Sequence, residues 1–586
     1  MNKTIEGRLF FTKQISGGNN AKTKRFLKGF MARTVNSIGR TVSYTSTKAY
    51  GALFLSFGLM TLFLNLGKYY ILDNPTVESS SLVIGAIFAF LGIPLMFFDK
   101  PMCIATQDFF VTDYLLYDFF FIKKLHKLQN PPSIPVVLAV FIGFIPAFLG
   151  FVIPITYVLI GILVATVFFM SFTSPEFSLI LTILILPYTS FIPYNDYILA
   201  AMSLVVFVSY IFRVILGKRV FYFDIYSILV LIFAVFFAVS GFLGYGDDSF
   251  KNTVIFLLLI LSYYPANSLI VNRRLADAAV KAIVFSSLPI SVYVIVRSAI
   301  DFVKSGLDGV FKFYYGSSFG GEGYFLVGAY LLISAIFTMM FFLQKKQRIK
   351  KSFYAVFFAL NILAIAFSSQ IGAVISAIFG IILALFLFSK RISSNFFFPI
   401  SLIPYFIPLI PGRYLESVSE FLRIEPSINA TVEKISQNLS VFLANFFIGV
   451  GIGQDSFDAF MGTGGSTADN LFLGIGTSVG VFALAAFFVL LAVNYLHAAM
   501  HRVYVKNSSM NIVGIMSTLA LSSLIMYGAF GNLFNRIELF YIFFIIFAIS
   551  TTSLRDAKQE YVDRVGYYDD LRSSEASSID INLQVR

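Results

Sequence analysis

Sixteen stretches of nearly unbroken apolar residues, each close to the roughly 20 residues that an α-helix needs to cross the hydrocarbon core of a bilayer, leave this chain few possible folds. They fall at about 50–67, 81–98, 135–151, 154–172, 176–193, 197–215, 223–244, 253–271, 280–299, 324–343, 353–368, 371–389, 396–411, 470–495, 510–529 and 538–552. In lipid, backbone polar groups must be satisfied within the spanning segment, which restricts such runs to helices. With 58% hydrophobic and 13% charged residues over 586 positions, and a mean hydropathy of +0.83, the composition lies outside that of soluble domains. The expectation is an all-α polytopic membrane protein of about 14–16 transmembrane helices. The lower count applies if proline-interrupted runs merge or re-enter, as in 396–411 with Pro399, Pro404, Pro408 and Pro411.

Charge supplies the topology. The first fifty residues hold ten Lys/Arg against the single acid Glu6, so they carry +9 of the net +12. A basic arm abutting an apolar span marks the cytoplasmic side and attracts anionic lipid, so the partner implied is membrane lipid and not nucleic acid. The arm is too long, and lacks the small-residue cleavage site, for a cleavable signal peptide. Further Lys/Arg fall on alternate loops: Lys123, Lys124 and Lys127; Lys218-Arg219; Arg273-Arg274; Lys345 to Lys351; Lys390-Arg391; Arg502 and Lys506. Both termini are therefore expected in the cytoplasm and the intervening loops outside, in a multi-pass protein of the cytoplasmic (inner) membrane.

Four regions follow. Residues 1–49 form a basic cytoplasmic arm. Residues 50–172 form an N-terminal transmembrane extension whose cytoplasmic connector, 100–134, contains DFFVTDYLLYDFFFIKK. That segment reads as one amphipathic helix, either lying at the membrane interface or packed under the bundle. Residues 173–552 form the main transmembrane domain, and 553–586 a polar cytoplasmic tail. One cysteine, Cys103, and three histidines provide neither a disulfide framework nor a His/Cys zinc site. No metal or cofactor is predicted.

The outer loop 412–469 is patterned. From Leu415 to Phe447, apolar residues recur at helical spacing (Val418, Phe421, Leu422; Val432, Ile435, Leu439, Phe442, Leu443, Phe446), and Pro426 divides them into two amphipathic helices. A glycine-rich turn follows, with Gly449, Gly451 and Gly453. Its N–H groups either approach an anion or serve a tight packing turn. Asp455 and Asp458 stand three apart, as a solvated acidic surface or as carboxylate ligands to a divalent ion. The loop closes on Asp469 and Asn470, directly before the next apolar run.

From NFFIGVGIGQDSF through TADNLFLGIGTSVGVFALAAFFVLL, the chain resembles the O-antigen ligase and O-antigen polymerase superfamily, glycosyltransferases of the GT-C type that use polyprenyl-diphosphate-linked glycans. SPEFSLILTILILP, FDIYSILVLIF and AFSSQIGAVISAIFGIILALFLF look like the family's early helices and its Ser-Arg-Gly hairpin, so the likeness covers roughly 174–550. RTVSYTSTKAYGALFLSFGLMTL looks like the N-terminal extension of Gram-positive members. The resemblance implies a GT-C-like bundle with the long outer loop over its mouth. It also implies transfer or polymerisation of the lipid-linked glycan onto the hydroxyl of a glycan, lipid or wall acceptor. Three positions depart from the family: Asp469 stands where histidine is usual and Gln370 where the hairpin has arginine. A further family arginine would fall near Thr431, where the nearest basic residues are Arg423 and Lys434.

Such a transfer needs a base for the acceptor hydroxyl and fixed positive charge or N–H donors for the departing diphosphate. The resemblance gives the base role to Asp469; the alternative is a helix N-cap. Arg423 and Lys434, with Arg413 and Arg536 in reserve, are the candidates for the diphosphate; the alternative is solvated or snorkelling charge. Gln370, Asn470, Gly449, Gly451 and Gly453 are supporting positions. Two other function classes stay open: a non-catalytic family member in a glycan-export complex, and a lipid-linked oligosaccharide flippase or transporter. Against transport, the span centres carry no ionisable residue, with Arg213, Lys281 and Arg297 toward span ends.

Overall fold

The computed structural model describes residues 31–71, 79–125, 128, 131–215, 219–246, 248–271, 273–305, 324–344, 348–368, 371–388, 428–462, 470–501 and 509–555. The protein is an all-α polytopic membrane protein; among the described residues the only β-type pairing is an isolated bridge between Ser46 and Pro101. Ten of the sixteen apolar runs are helices long and apolar enough to cross a membrane. Five more form the shorter apolar helices Ser80–Met96, Val136–Val152, Pro175–Phe191, Lys351–Phe367 and Gly372–Ala384. The run 396–411 lies outside the described residues.

The chain divides into an N-terminal unit, Ile15–Ser178 with Val208–Arg219, and a C-terminal unit, Leu179–Phe207 with Val220–Arg586 and Met1–Gln14. Helices of the N-terminal unit are α1 (Met31–Tyr44), α2 (Thr47–Ile71), α3 (Ser79–Met96), α4 (Met102–Asp108), α5 (Phe110–Asp113), α6 (Val136–Val152) and α7 (Ile155–Thr173). Helices α8 (Pro175–Ile185) and α9 (Asn195–Ile215) run from one unit into the other. The C-terminal unit continues with α10 (Ile225–Leu243), α11 (Asp248–Leu261), α12 (Tyr263–Leu269), α13 (Arg273–Ser305), α14 (Tyr324–Gln344), α15 (Arg348–Phe367) and α16 (Ile371–Phe388). It ends with α17 (Ile428–Ala444), α18 (Gln454–Met461), α19 (Leu471–His501), α20 (Ser509–Tyr527) and α21 (Ile537–Arg555).

In the N-terminal unit, α2 and α3 pack backbone to backbone. A Cβ added at Gly51 would stand 2.6 Å from the Met96 nitrogen, and one at Gly92 2.6 Å from the Leu55 nitrogen. Small residues allow this approach, and dispersion rather than hydrophobic exclusion holds helices together in lipid. The connector corrects the single amphipathic helix expected from its sequence. Phe109 is extended (φ −97°, ψ 113°) and separates α4 from α5. A π-helical turn, Tyr114–Phe119, follows α5. Phe121 then takes a positive φ of 55°, and Lys124 returns to Asp113 at 2.7 Å. The aromatic residues consequently split, with Phe119 buried and Phe110 82% exposed.

The C-terminal unit is built around α14, α20 and α21, each buried along nearly its whole length. Polar side chains tie it internally. Ser291 donates to Asn361 at 2.7 Å, and Asn361 to Ser334 at 3.0 Å. Ser550 meets Thr518 at 2.7 Å and donates to Asn494 at 3.0 Å. Inside a membrane such bonds satisfy hydroxyls and amides that lipid cannot. The helices run between two ends. At one, Asp224 before α10, Asn267 of α12, His497 of α19 and Arg555 of α21 are joined through Asp224–Arg555, Asp224–Asn267 and Tyr226–His497 hydrogen bonds. At the other lie the loop after α10, the heads of α19 and α21, and the glycine turn.

Candidate functional site

Local geometry at this second end begins with α10, which closes at Leu243, and the loop that follows it. Tyr245 N–H donates to the Val450 carbonyl at 2.8 Å, joining the loop to the glycine turn. The turn in turn lies along α19: Val450 N–H donates to Thr477 O at 2.8 Å and Gly451 N–H to Ser478 O at 3.0 Å. In the reverse direction, Val481 N–H donates to Phe446 O at 2.8 Å. The reciprocal bonding is possible because α19 is broken at Gly480 (φ 80°, ψ 179°), which releases the carbonyls of Thr477 and Ser478 from the helical ladder. Gly451 holds φ 106°, a conformation L side chains rarely adopt, and lies against Gly244 and the Ser249 hydroxyl.

This bonding decides between the two readings of the turn. Gly449 N–H is taken by Asn445 O at 2.8 Å, and Ile452 N–H by the Ser249 hydroxyl at 3.2 Å. With Val450 and Gly451 engaged as above, four consecutive donors face protein acceptors, so the anion-cradle reading is corrected to a packing joint. An anion needs donors converging on open space, and Gly449 to Ile452 offer none.

Asn470 caps α19. Its side-chain oxygen accepts from Phe472 N–H at 3.0 Å and Leu473 N–H at 3.3 Å, an arrangement worth about 1 kcal/mol. The capping role considered for Asp469 is thus performed by its neighbour. Asp469 itself, with Arg413, Arg423 and Gln370, lies outside the described residues. Lys434 is on the described backbone of α17, but its side chain is outside them.

The loop from α20 to α21 packs against the same helix head. Leu471 N–H donates to Gly528 O at 2.8 Å, and a Cβ at Gly474 would collide with the Asn532 amide. Arg536 is half-buried in that loop; its carbonyl accepts from Leu539 and Phe540 N–H at 3.1 and 3.0 Å, opening α21. The structure therefore brings Asn470, the glycine turn and Arg536 to one end of the unit.

One carboxylate of this end escapes sequence reasoning. Glu538, buried in the first turn of α21, accepts from the Asn195 amide at 2.9 Å and feels the charge of Arg536. A carboxylate inside an apolar run is the available signal, but inspection of span centres passes over span ends. Among the described residues, mid-span positions carry no charged side chain.

Helix α17 corrects the expected apolar face. The side against the unit carries Asn438 and Val441, both buried, whereas Leu439, Leu443, Phe446 and Phe447 are exposed. Val441 joins Val450 and Phe457 in a small core. Outward, Phe447 stacks on Phe482 at 5.8 Å and Phe482 on Phe236 at 5.5 Å. The result is an aromatic shelf of lipid-like polarity beside the glycine joint.

Asp455 and Asp458 make different hydrogen bonds. Asp458 accepts from Gln454 at 2.9 Å, while Asp455 faces Asp248. Hydrogen bonding to that second carboxyl, with burial next, raises the Asp455 pKa above its ordinary value. No group of three or more His, Cys, Asp or Glu suited to a metal occurs among the described residues. No protein-family model matches the chain, and no curated protein matches it.

Proposed function

We propose that this protein transfers or polymerises a polyprenyl-diphosphate-linked glycan onto an acceptor hydroxyl at the outer face of the cytoplasmic membrane, as a member of the O-antigen ligase and polymerase superfamily. Both termini are then cytoplasmic and the end bearing the glycine joint is extracytoplasmic, as the Lys/Arg alternation requires. The observation carrying the reading is the clasp between the phrase GVGIG and the head of α19, the two sequence blocks that bear the resemblance. With Asn470 as the cap, Asp469 is relieved of that task and is the acceptor-side base. Arg423 and Lys434, with Arg413 and Arg536, stabilise the diphosphate, and the aromatic shelf of Phe236, Phe447 and Phe482 suits a polyprenyl chain.

Lipid-linked glycans in cells lacking the protein test this reading. Accumulated long chains identify a ligase and accumulated single repeat units a polymerase, whereas an unchanged profile overturns the proposal. Asp469→Asn keeps the size of the side chain and removes the proton acceptor, so transfer falls by roughly 10²–10⁴-fold. Arg423→Gln with Lys434→Gln weakens donor binding in nanodiscs at unchanged protein amount; unaltered affinity removes both from the site.

A second reading, a non-catalytic member of a glycan-export complex, is favoured by the engaged N–H groups of Gly449 to Ile452. It predicts full glycan transfer in Asp469→Asn. A flippase would instead leave lipid-linked glycan on the cytoplasmic side when the protein is deleted.

A further inference from the structure

The N-terminal unit contains a crevice of about 410 Å³ between α2, the end of α3 and α6, within the roughly 300–1,000 Å³ of small-molecule sites. Ala52 and Ser56 form its floor, both buried, while Leu59 and Phe63 stand exposed at its mouth and Met96 and Phe144 close the sides. Its one hydroxyl, Ser56, already donates to the Leu53 carbonyl at 2.9 Å. A sugar, nucleotide or headgroup would find no polar partner there.

The helix that lines it, α2, is long and apolar enough to cross a membrane, and the exposed Leu59 and Phe63 at its mouth suit hydrocarbon surroundings. Apolar walls of this kind gain dispersion contacts from a flexible hydrocarbon chain. A positive charge stands at one end of the same face. Lys48 lies four residues, one helical turn, before Ala52 and is exposed. A lysine in the first turn of a spanning helix extends toward the interface, where phosphate groups reside.

We propose that this crevice is a phospholipid site, with one acyl chain along Ala52, Ser56 and Leu59 and the lipid phosphate on Lys48. The inference is independent of the glycan-transfer reading. The chain has no tryptophan, so Leu59→Trp places a single reporter at the mouth, and Phe90→Trp, on a 76% exposed position of α3, reports the general lipid surface. Purified protein in detergent is titrated with phosphatidylglycerol carrying brominated chains, which quench tryptophan on contact. The expected result is early, saturable quenching of Leu59→Trp at about one lipid per protein, before Phe90→Trp responds. Adding Lys48→Gln, an exposed change that leaves the fold intact, shifts that early phase to roughly tenfold higher lipid, as loss of one charge-assisted contact requires. Coincident titration of the two reporters overturns the site. Early quenching indifferent to Lys48→Gln overturns its assignment to a phospholipid.

Discussion

The guanidinium of Arg555, at the end of the last described helix, donates to the carboxylate of Asp224 at 3.1 Å. The same carboxylate accepts from the N–H and hydroxyl of Ser227, both at 2.9 Å, and from Asn267 at 3.5 Å. One side chain thus caps α10 and ties it to α12 and α21. Removing Arg555 costs the charged hydrogen bond, about 1.5–3 kcal/mol before allowing for its partial exposure, together with weaker contacts to the Asn267 carbonyl and the Tyr222 ring. Removing Asp224 also costs the cap, about 1 kcal/mol more. Asp224→Ala should therefore lower the melting temperature of the purified protein further than Arg555→Gln does; equal effects would contradict the shared role.

Gly480 and Gly462 have nearly the same backbone, φ 80° with ψ 179° and 174°, in different surroundings. Among the described residues an added Cβ meets nothing within 4 Å at Gly462 but collides with the Phe447 carbonyl at Gly480. Gly462→Ala should lose only the conformational term, about 1–3 kcal/mol. Gly480→Ala should lose that and break the clasp as well, so its melting temperature falls further. Similar losses in thermal unfolding would show that the joint yields.

The membrane helices were legible because each apolar run had few alternatives in lipid; the kink at Gly480 and the engaged N–H groups were not, since both depend on which strand of chain lies alongside. Periodicity located α17 but not its buried side. Leu439 and Leu443 face outward, and Asn438 and Val441 pack inward. At the connector, helical spacing predicted one element where Phe109 and Phe121 impose breaks. Asn470 illustrates adjacency: Asp469 and Asn470 are both good caps by type, and only the bonds to Phe472 and Leu473 distinguish them.

Asp455 predicts a pH dependence. Its raised pKa, caused first by hydrogen bonding to Asp248, means that the fold favours its protonated form. That contribution is fully present below the ordinary carboxyl value of 3.8 and is lost as pH rises through the raised one. Melting temperature should fall over this window in the native protein. Asp455→Asn should flatten the curve and raise it at neutral pH; an unchanged slope would discount the carboxyl pair.

Topology is tested through Cys103, the sole cysteine, which is buried. In a Cys103→Ser background, Ser466→Cys should react with a membrane-impermeant maleimide in intact cells. Reaction only after permeabilisation would reverse the orientation and remove the donor site from the outer face.

The clasp at the head of α19 is made by main-chain atoms: Val450 to Thr477, Gly451 to Ser478 and Val481 to Phe446. Its geometry therefore constrains the glycines directly, while Val450 and Ile452 are held only through the size of the buried space they fill and Ile448, exposed, is the freest of the three. Such a joint is specified by backbone angle and not by side-chain chemistry, so apolar exchange at Ile448 leaves it standing whereas any side chain at Gly449 or Gly480 pries it open.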